Sequence, residues 1–218
     1  MIKAYKYRIY PTTEQQKLMK QFFGCSRFIY NKCLEWYNEA YRQYKENNIQ
    51  IGKLPLITVF KQQHDFLKVC DNAALAYARS NFEKALSDFF KSRKGQRKGK
   101  RVGFPTFKSK NKSKMTYRTC DAHGSIRFND DNTYIRLPKL GFVKCKKHRN
   151  FNGVIKAVTV ECKPSGKYYV SLTVECGDEN NGMVVNKRNN INSLKVVGLD
   201  MSMSNFVVSS ESEDNTIT

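Results

Sequence analysis

The chain of 218 residues is short of acid: 19 Asp and Glu stand against 39 Lys and Arg, giving a formal net charge of +20. An imbalance of that size does not suit a soluble enzyme of small molecules and points to a polyanionic partner. No hydrophobic run approaches the length of a membrane span. Residues 1–10 alternate aromatic and basic side chains instead of building the basic-then-apolar pattern of a secretory leader. A basic amphipathic stretch with a clean apolar face is also missing, so nucleic acid is a better partner than a membrane surface. The seven cysteines are odd in number, scattered and never spaced CxxC, which argues against a disulfide framework and a zinc ribbon within this chain. As reduced thiols they act as small apolar residues. His64, His123 and His148 lack metal-ligand spacing, and no internal repeat is visible. The expected location is the cytoplasm, at the nucleoid.

What is present begins with period-two alternation over residues 2–10, which sets Tyr5, Tyr7 and Ile9 on one face and Lys6, Arg8 and Tyr10 on the other, a half-buried strand ended by Pro11. Thr12 and Thr13, with Gln15 and Gln16 three residues on, mark a capped helix start. Leu18, Phe22, Ile29, Cys33, Trp36, Ala40 and Tyr44 then keep helical spacing through Asn47, with Gly24 as an expected break between two helices. A further helix is expected over 57–68. Another follows Asp71 or Asn72 as cap, with Leu75, Ala78, Phe82, Leu86 and Phe89 on one face. From residue 114 the pattern turns to strands over 115–120, 125–128, 134–137, 141–145, 153–162 and 168–176, with hairpin turns at 129–132 and 163–167. With strand 2–10 they suffice for a small antiparallel barrel into which the helical unit is inserted. A polar linker over 178–194 leads to a strand ending at Asp200, a tight connection, and a returning strand over 206–210. The tail over 211–218 is acidic and is read as flexible.

Between Lys91 and Arg118 stand twelve Lys or Arg and no acid, interleaved with Phe104, Phe107 and Tyr117. A solvated linker tolerates such charge but has no need of the aromatics. Arg93, Lys94, Arg101, Lys108, Lys110, Lys112, Lys114 and Arg118 can each neutralise a phosphate, with Phe104-Pro105-Thr106-Phe107 as a docking anchor. Arg27 and Asn31 lie one helical turn apart and either reach one ligand together or make an interhelical polar contact. Asn72, at a helix start, either caps it or meets nucleic acid.

The sequence resembles the TnpB family of transposon-encoded, OrfB transposase-like proteins. The resemblance is carried by Arg8-x-Tyr10-Pro11 with Gln15, residues 24–31, Phe104 to Lys110, Tyr117-Arg118-Thr119, residues 135–141, Gly166 to Val170 and Gly198-Leu199-Asp200, in register along essentially the whole chain. It implies an RNA-guided DNA endonuclease whose partners are guide RNA and double-stranded target DNA. The implied fold is α+β: a wedge-like antiparallel β-barrel (1–10 and 114–177) with an inserted helical recognition lobe of helix-turn-helix type (11–91) and a basic linker (92–113). After the linker at 178–194 comes the first hairpin of an RNase H-like, RuvC-type nuclease domain (195–218). Because guide pairing chooses the sequence, the protein itself needs mainly backbone contacts, in keeping with the charge. Arg8 and the residues named above are the expected contacts.

By the same resemblance Asp200 is the first catalytic carboxylate and a ligand of Mg2+ or a similar divalent cation, although Met201-Ser202 follows where the family has Gly at the second position. The family's later carboxylates and its zinc ribbon have no counterpart in 1–218, so the chain alone is expected to be inactive. The alternative for Asp200 is an ordinary Asp closing a strand before a turn. The alternatives for the whole are a nucleic-acid-binding module that cuts nothing, or a decayed transposase remnant.

Overall fold

The computed structural model describes residues 1–121 and 124–176, together with the backbone of strands at 199–200, 207–209 and 216–217. β1 (Ile2–Tyr10) follows the alternation: Tyr7 and Ile9 are buried, while Lys6, Arg8 and Tyr10 are exposed. Thr12 caps α1 (Thr13–Asn47). Its hydroxyl accepts from Gln15 N–H at 3.3 Å, and Gln15 Oε1 accepts from Thr12 N–H at 3.0 Å, closing the capping box. Gln15 Nε2 also donates to the carbonyls of Leu140 at 3.3 Å and Phe142 at 2.9 Å, bracing the helix start on the sheet.

α1 runs unbroken for 35 residues and closes on Asn48 in the left-handed conformation. The break expected at Gly24 is absent. The buried stripe of Phe22, Cys25, Ile29 and Cys33 crosses it, and tertiary burial overrides the weak helix propensity of one glycine. The single helix expected over 57–68 divides into α2 (Ile57–Gln63) and a 3-10 turn (Asp65–Val69), separated by His64 in extended conformation. α3 (Asn72–Arg93) starts after Asp71, which does not cap it. The Asp71 carboxylate instead accepts from the buried Thr119 hydroxyl, tying the helix start to the sheet.

β2 (Met115–Cys120), β3 (Arg127–Phe128), β4 (Tyr134–Leu137), β5 (Gly141–Lys146), β6 (Val154–Cys162) and β7 (Tyr168–Glu175) join β1 in a seven-stranded sheet ordered β2-β6-β7-β1-β5-β4-β3, every pair antiparallel. β3 begins at Arg127, later than expected, because Asp121 Oδ1 accepts from Ile126 N–H at 2.8 Å and keeps that group out of the ladder. Gly153, at φ 148°, permits the close pass beside β7: a Cβ there would lie 2.3 Å from the Glu175 carbonyl oxygen.

The expected closed barrel is not formed; among the described residues the ladder ends at β2 and β3. The sheet does curl. Tyr7 on β1 meets Phe128 on β3 edge-on at 5.9 Å although β5 and β4 lie between them, where a flat sheet would separate those strands by about 14 Å. β2 has helices for neighbours: Phe22 of α1 packs edge-on against Tyr117 at 5.4 Å. Helices and sheet therefore share one hydrophobic core, including Phe22, Phe82, Tyr117, Val158 and Leu172. Residues 1–176 form one compact unit.

Residues 177–218 form a second unit. In it β8 (Leu199–Asp200), β9 (Val207–Ser209) and β10 (Thr216–Ile217) pair antiparallel in the order β10-β9-β8, with Asp200 opposite Val208. A strand thus returns antiparallel beside Leu199–Asp200, and a third short strand falls within the tail that the sequence suggests is flexible. The linker at 178–194, His123, Gly198, Met201 and Ser202 lie outside the described residues. Among the described residues no helix is long and apolar enough to cross a membrane.

Candidate nucleic-acid interface

Ala74 and Ala78, one turn apart on α3 and buried, are small enough to leave room between α1, α3 and β2. The space is a cleft of about 260 Å³. Arg27 from α1, Lys108 and Lys114 from the basic segment, and Arg118 from β2 line it, and no carboxylate does. Asn81, Ser113, Thr116 and Thr159 supply neutral hydrogen-bonding groups; Thr159 stands opposite Arg118 in the β2–β6 register. Four cations in one concavity with no acid focus a positive potential and favour an entering anion. Two buried hydroxyls on the same wall, Ser26 Oγ and Tyr117 Oη, have no hydrogen-bond partner among the described residues. Burial holds the Tyr117 phenol well above its ordinary pKa, so it stays neutral and able to donate.

The basic segment is fixed here by one amide. Asn31 Nδ2 donates to the Lys108 carbonyl at 2.9 Å, and Lys108 N–H donates to Asn31 Oδ1 at 2.8 Å. Lys108 Nζ lies 3.6 Å from the centre of the Tyr30 ring, and burial lowers its pKa. The Asn31 amide thus engages the backbone of the basic segment, while Arg27 lines the cleft. Arg118 is steadied by Tyr77, its guanidinium 5.0 Å from the ring centre.

The other expected contacts spread out. Lys110 and Lys112 line a neighbouring groove of about 560 Å³ that shares Lys114 with the cleft and also holds Lys163 and Glu161. Arg8 is exposed on β1 and stacks over Tyr10 at 4.9 Å. Arg93 and Lys94 lie at the far end of α3, and Arg101 is exposed beyond it. Asn72 does not cap α3; its Oδ1 accepts from Lys61 Nζ. His64 and His148 pack edge-on against Phe28 at 4.8 Å and Tyr7 at 5.3 Å. Ser26 lies within the motif at 24–31, whereas Tyr77, Asn81 and Thr159 have no place in the motifs read from the sequence. Their one readable signal is the i, i+4 pairing of Tyr77 with Asn81 on the face that carries Ala74 and Ala78.

Asp200 is the only acidic residue in the described strands 199–217. Among the described residues no group of three His, Cys, Asp or Glu could hold a metal ion.

Residues 1–46 match the OrfB/IS605 model of a helix-turn-helix domain. The chain is 29% identical over 177 residues to the "Putative RNA-guided DNA endonuclease InsQ" of Escherichia coli K12, covering 80% of this chain and 40% of that protein. A Streptomyces pristinaespiralis protein, named "Putative RNA-guided DNA endonuclease", is 26% identical over 175 residues, covering 79% of this chain and 41% of its own length. The virulence protein VsdF of Salmonella dublin is 32% identical over 119 residues, which are 50% of this chain and 95% of VsdF. The chain belongs to the TnpB family. It spans about 40% of the length of the two endonuclease-named relatives. A chain of the solved Cas12f1–sgRNA–target DNA complex aligns over 100% of this one and 57% of itself, at 11% identity and a TM-score of 0.39, a likeness too weak to carry an argument. In this TnpB-family chain the segment matched as helix-turn-helix contains no turn: after β1 it is the single helix α1.

Proposed function

We propose that residues 1–176 hold guide RNA and double-stranded target DNA for a TnpB-type RNA-guided DNA endonuclease, and that Asp200 is the first metal ligand of its RuvC-like nuclease centre. The observation that carries this is the carboxylate-free cleft, where Arg27, Lys108, Lys114 and Arg118 converge from α1, the basic segment and β2. Phosphate oxygens suit it: guanidinium groups bind them in pairs of hydrogen bonds, and lysines neutralise them as point charges. The groove through Lys114 to Lys110 and Lys112 continues the positive track. Divalent cations such as Mg2+, bound in a complete centre of this type, activate a water and stabilise the leaving oxygen.

A second reading is binding without cleavage by these 218 residues, supported by the cations and neutral hydrogen-bonding groups that line the cleft. Binding of guide RNA and of a guide-matched duplex, titrated with salt, tests the cleft. Lys114→Gln and Arg118→Gln should each weaken binding and reduce the slope of log K against log salt by about 1; unchanged slopes would remove the cleft from the interface. With Mg2+ the purified chain should leave the matched duplex intact. Cutting that Asp200→Ala abolishes would show instead that the chain assembles its own nuclease centre.

A further inference from the structure

Beyond the cleft, α1, α3 and the basic segment form a second feature that phosphate binding does not use. Tyr37, Asn38 and Tyr41 of α1, Phe89 and Phe90 of α3, and Phe104 line an open trough of about 350 Å³. The rings are ordered against one another. Tyr37 and Tyr41 are parallel within 6° at 6.4 Å, and Phe104 stands edge-on to Phe89 at 5.3 Å and tilted to Tyr37 at 6.1 Å. Phe104 is thus the anchor that docks the basic segment; Phe107 stays exposed. Yet the trough is not closed into core: Tyr41, Phe90 and Phe104 are 43%, 43% and 40% exposed. So many open aromatic faces on one site call for an occupant.

Charge selects its class. Lys45 Nζ lies 5.2 Å from the centre of the Tyr41 ring. α3 ends in Lys91 and Arg93, and Lys94, Arg97 and Lys98 follow, while the nearby acids Glu39 and Asp88 are paired with Arg42 and Lys84. A second copy of the chain would press two basic rims together. A nucleic acid brings phosphates to the rim and flat bases to the rings, but only where its bases are unpaired, because a duplex keeps their faces stacked inside. RNA commonly offers such bases in loops and ends, and Asn38 can hydrogen-bond a base edge or a 2′-hydroxyl.

We propose that the Tyr37–Tyr41–Phe90–Phe104 trough is a stacking platform for an unpaired stretch of RNA, distinct from the phosphate-binding cleft. The test uses the whole chain with fluorescently labelled oligoadenylate RNA, a blunt RNA duplex of equal length, and single-stranded DNA of the same sequence. Leu keeps apolar cover, so Tyr41→Leu/Phe90→Leu should fold and yet bind the unpaired RNA about tenfold or more weakly. Its duplex binding and salt slope should be unchanged, and Tyr41→Phe should bind as the parent does. Lys114→Gln does the reverse, lowering the salt slope, so failure of the trough and failure of the cleft read differently. In the unaltered chain, ultraviolet cross-linking to 5-iodouridine RNA should place adducts on peptides carrying Tyr37, Tyr41, Phe90 or Phe104. The proposal is overturned if the Leu variant binds unpaired RNA as tightly as the parent or loses duplex binding equally. It is likewise overturned if the DNA strand binds more tightly than RNA, if adducts map elsewhere, or if the parent is a dimer that the Leu variant dissolves.

Discussion

Asn31 takes both polar groups of one backbone residue, imitating a single rung of a β-ladder between a helix and a segment 77 residues away. Asn31→Ala leaves the Lys108 N–H and carbonyl part-buried and unpaired, at a cost of about 1–3 kcal/mol. Urea unfolding should show that loss, and trypsin should cut faster at Lys108 to Lys112; equal stability and equal cutting would mean that other contacts hold the segment. Tyr7 carries the pH prediction. Burial, with Tyr5 and Cys145 nearby, pushes its phenol up to about 12, and its hydroxyl donates to the Arg149 carbonyl at 2.8 Å. Unfolded tyrosine ionises near pH 10, so its contribution is intact below about 10 and is lost as pH rises toward 12, where the unfolded chain binds fewer protons than the folded one. The urea midpoint should fall more steeply over that window in the parent than in Tyr7→Phe, although the variant starts lower for want of one hydrogen bond. Residue roles of this kind were half legible. The sequence set Tyr7 on the inner face of its strand, but an Asn on a helix does not reveal whether its amide meets a ligand or distant backbone.

Elements were more legible, because they follow from local period and turn chemistry. The Thr12–Gln15 capping box, the turns at 129–132 and 163–167, and six of the seven strands of the large sheet lie close to where alternation and turn residues put them. Misreadings came where a tertiary contact beat a local preference: the helix through Gly24, and Asp71 drawn from capping α3 to Thr119. Gly24 offers a direct check. It sits mid-helix with nothing within 4 Å of a would-be Cβ, so Gly24→Ala should stabilise the chain by about 0.5–1 kcal/mol. A thermal melt that moved down instead would mean that α1 bends there during folding or binding.

At the scale of the whole molecule, the charge and its polyanionic partner were plain from composition, but its distribution was not. The basic run parts into the cleft, its neighbouring groove and the rim of the aromatic trough only once α1 and α3 have packed on the sheet. Strand order was equally hidden, since alternation marks a strand without naming its neighbours. β1 proves to lie between β7 and β5, and Cys176 N–H donates to the Met1 carbonyl at 2.8 Å to finish that edge. β1, made before the other strands of this sheet, is therefore paired among the last. While residues 141–175 are still being synthesised, β1 waits with its tyrosines and Ile9 uncovered as α1 forms beside it. A sheet seamed from opposite ends of 176 residues must close a long loop before its pairing is rewarded, so it should refold more slowly than a sheet of local hairpins.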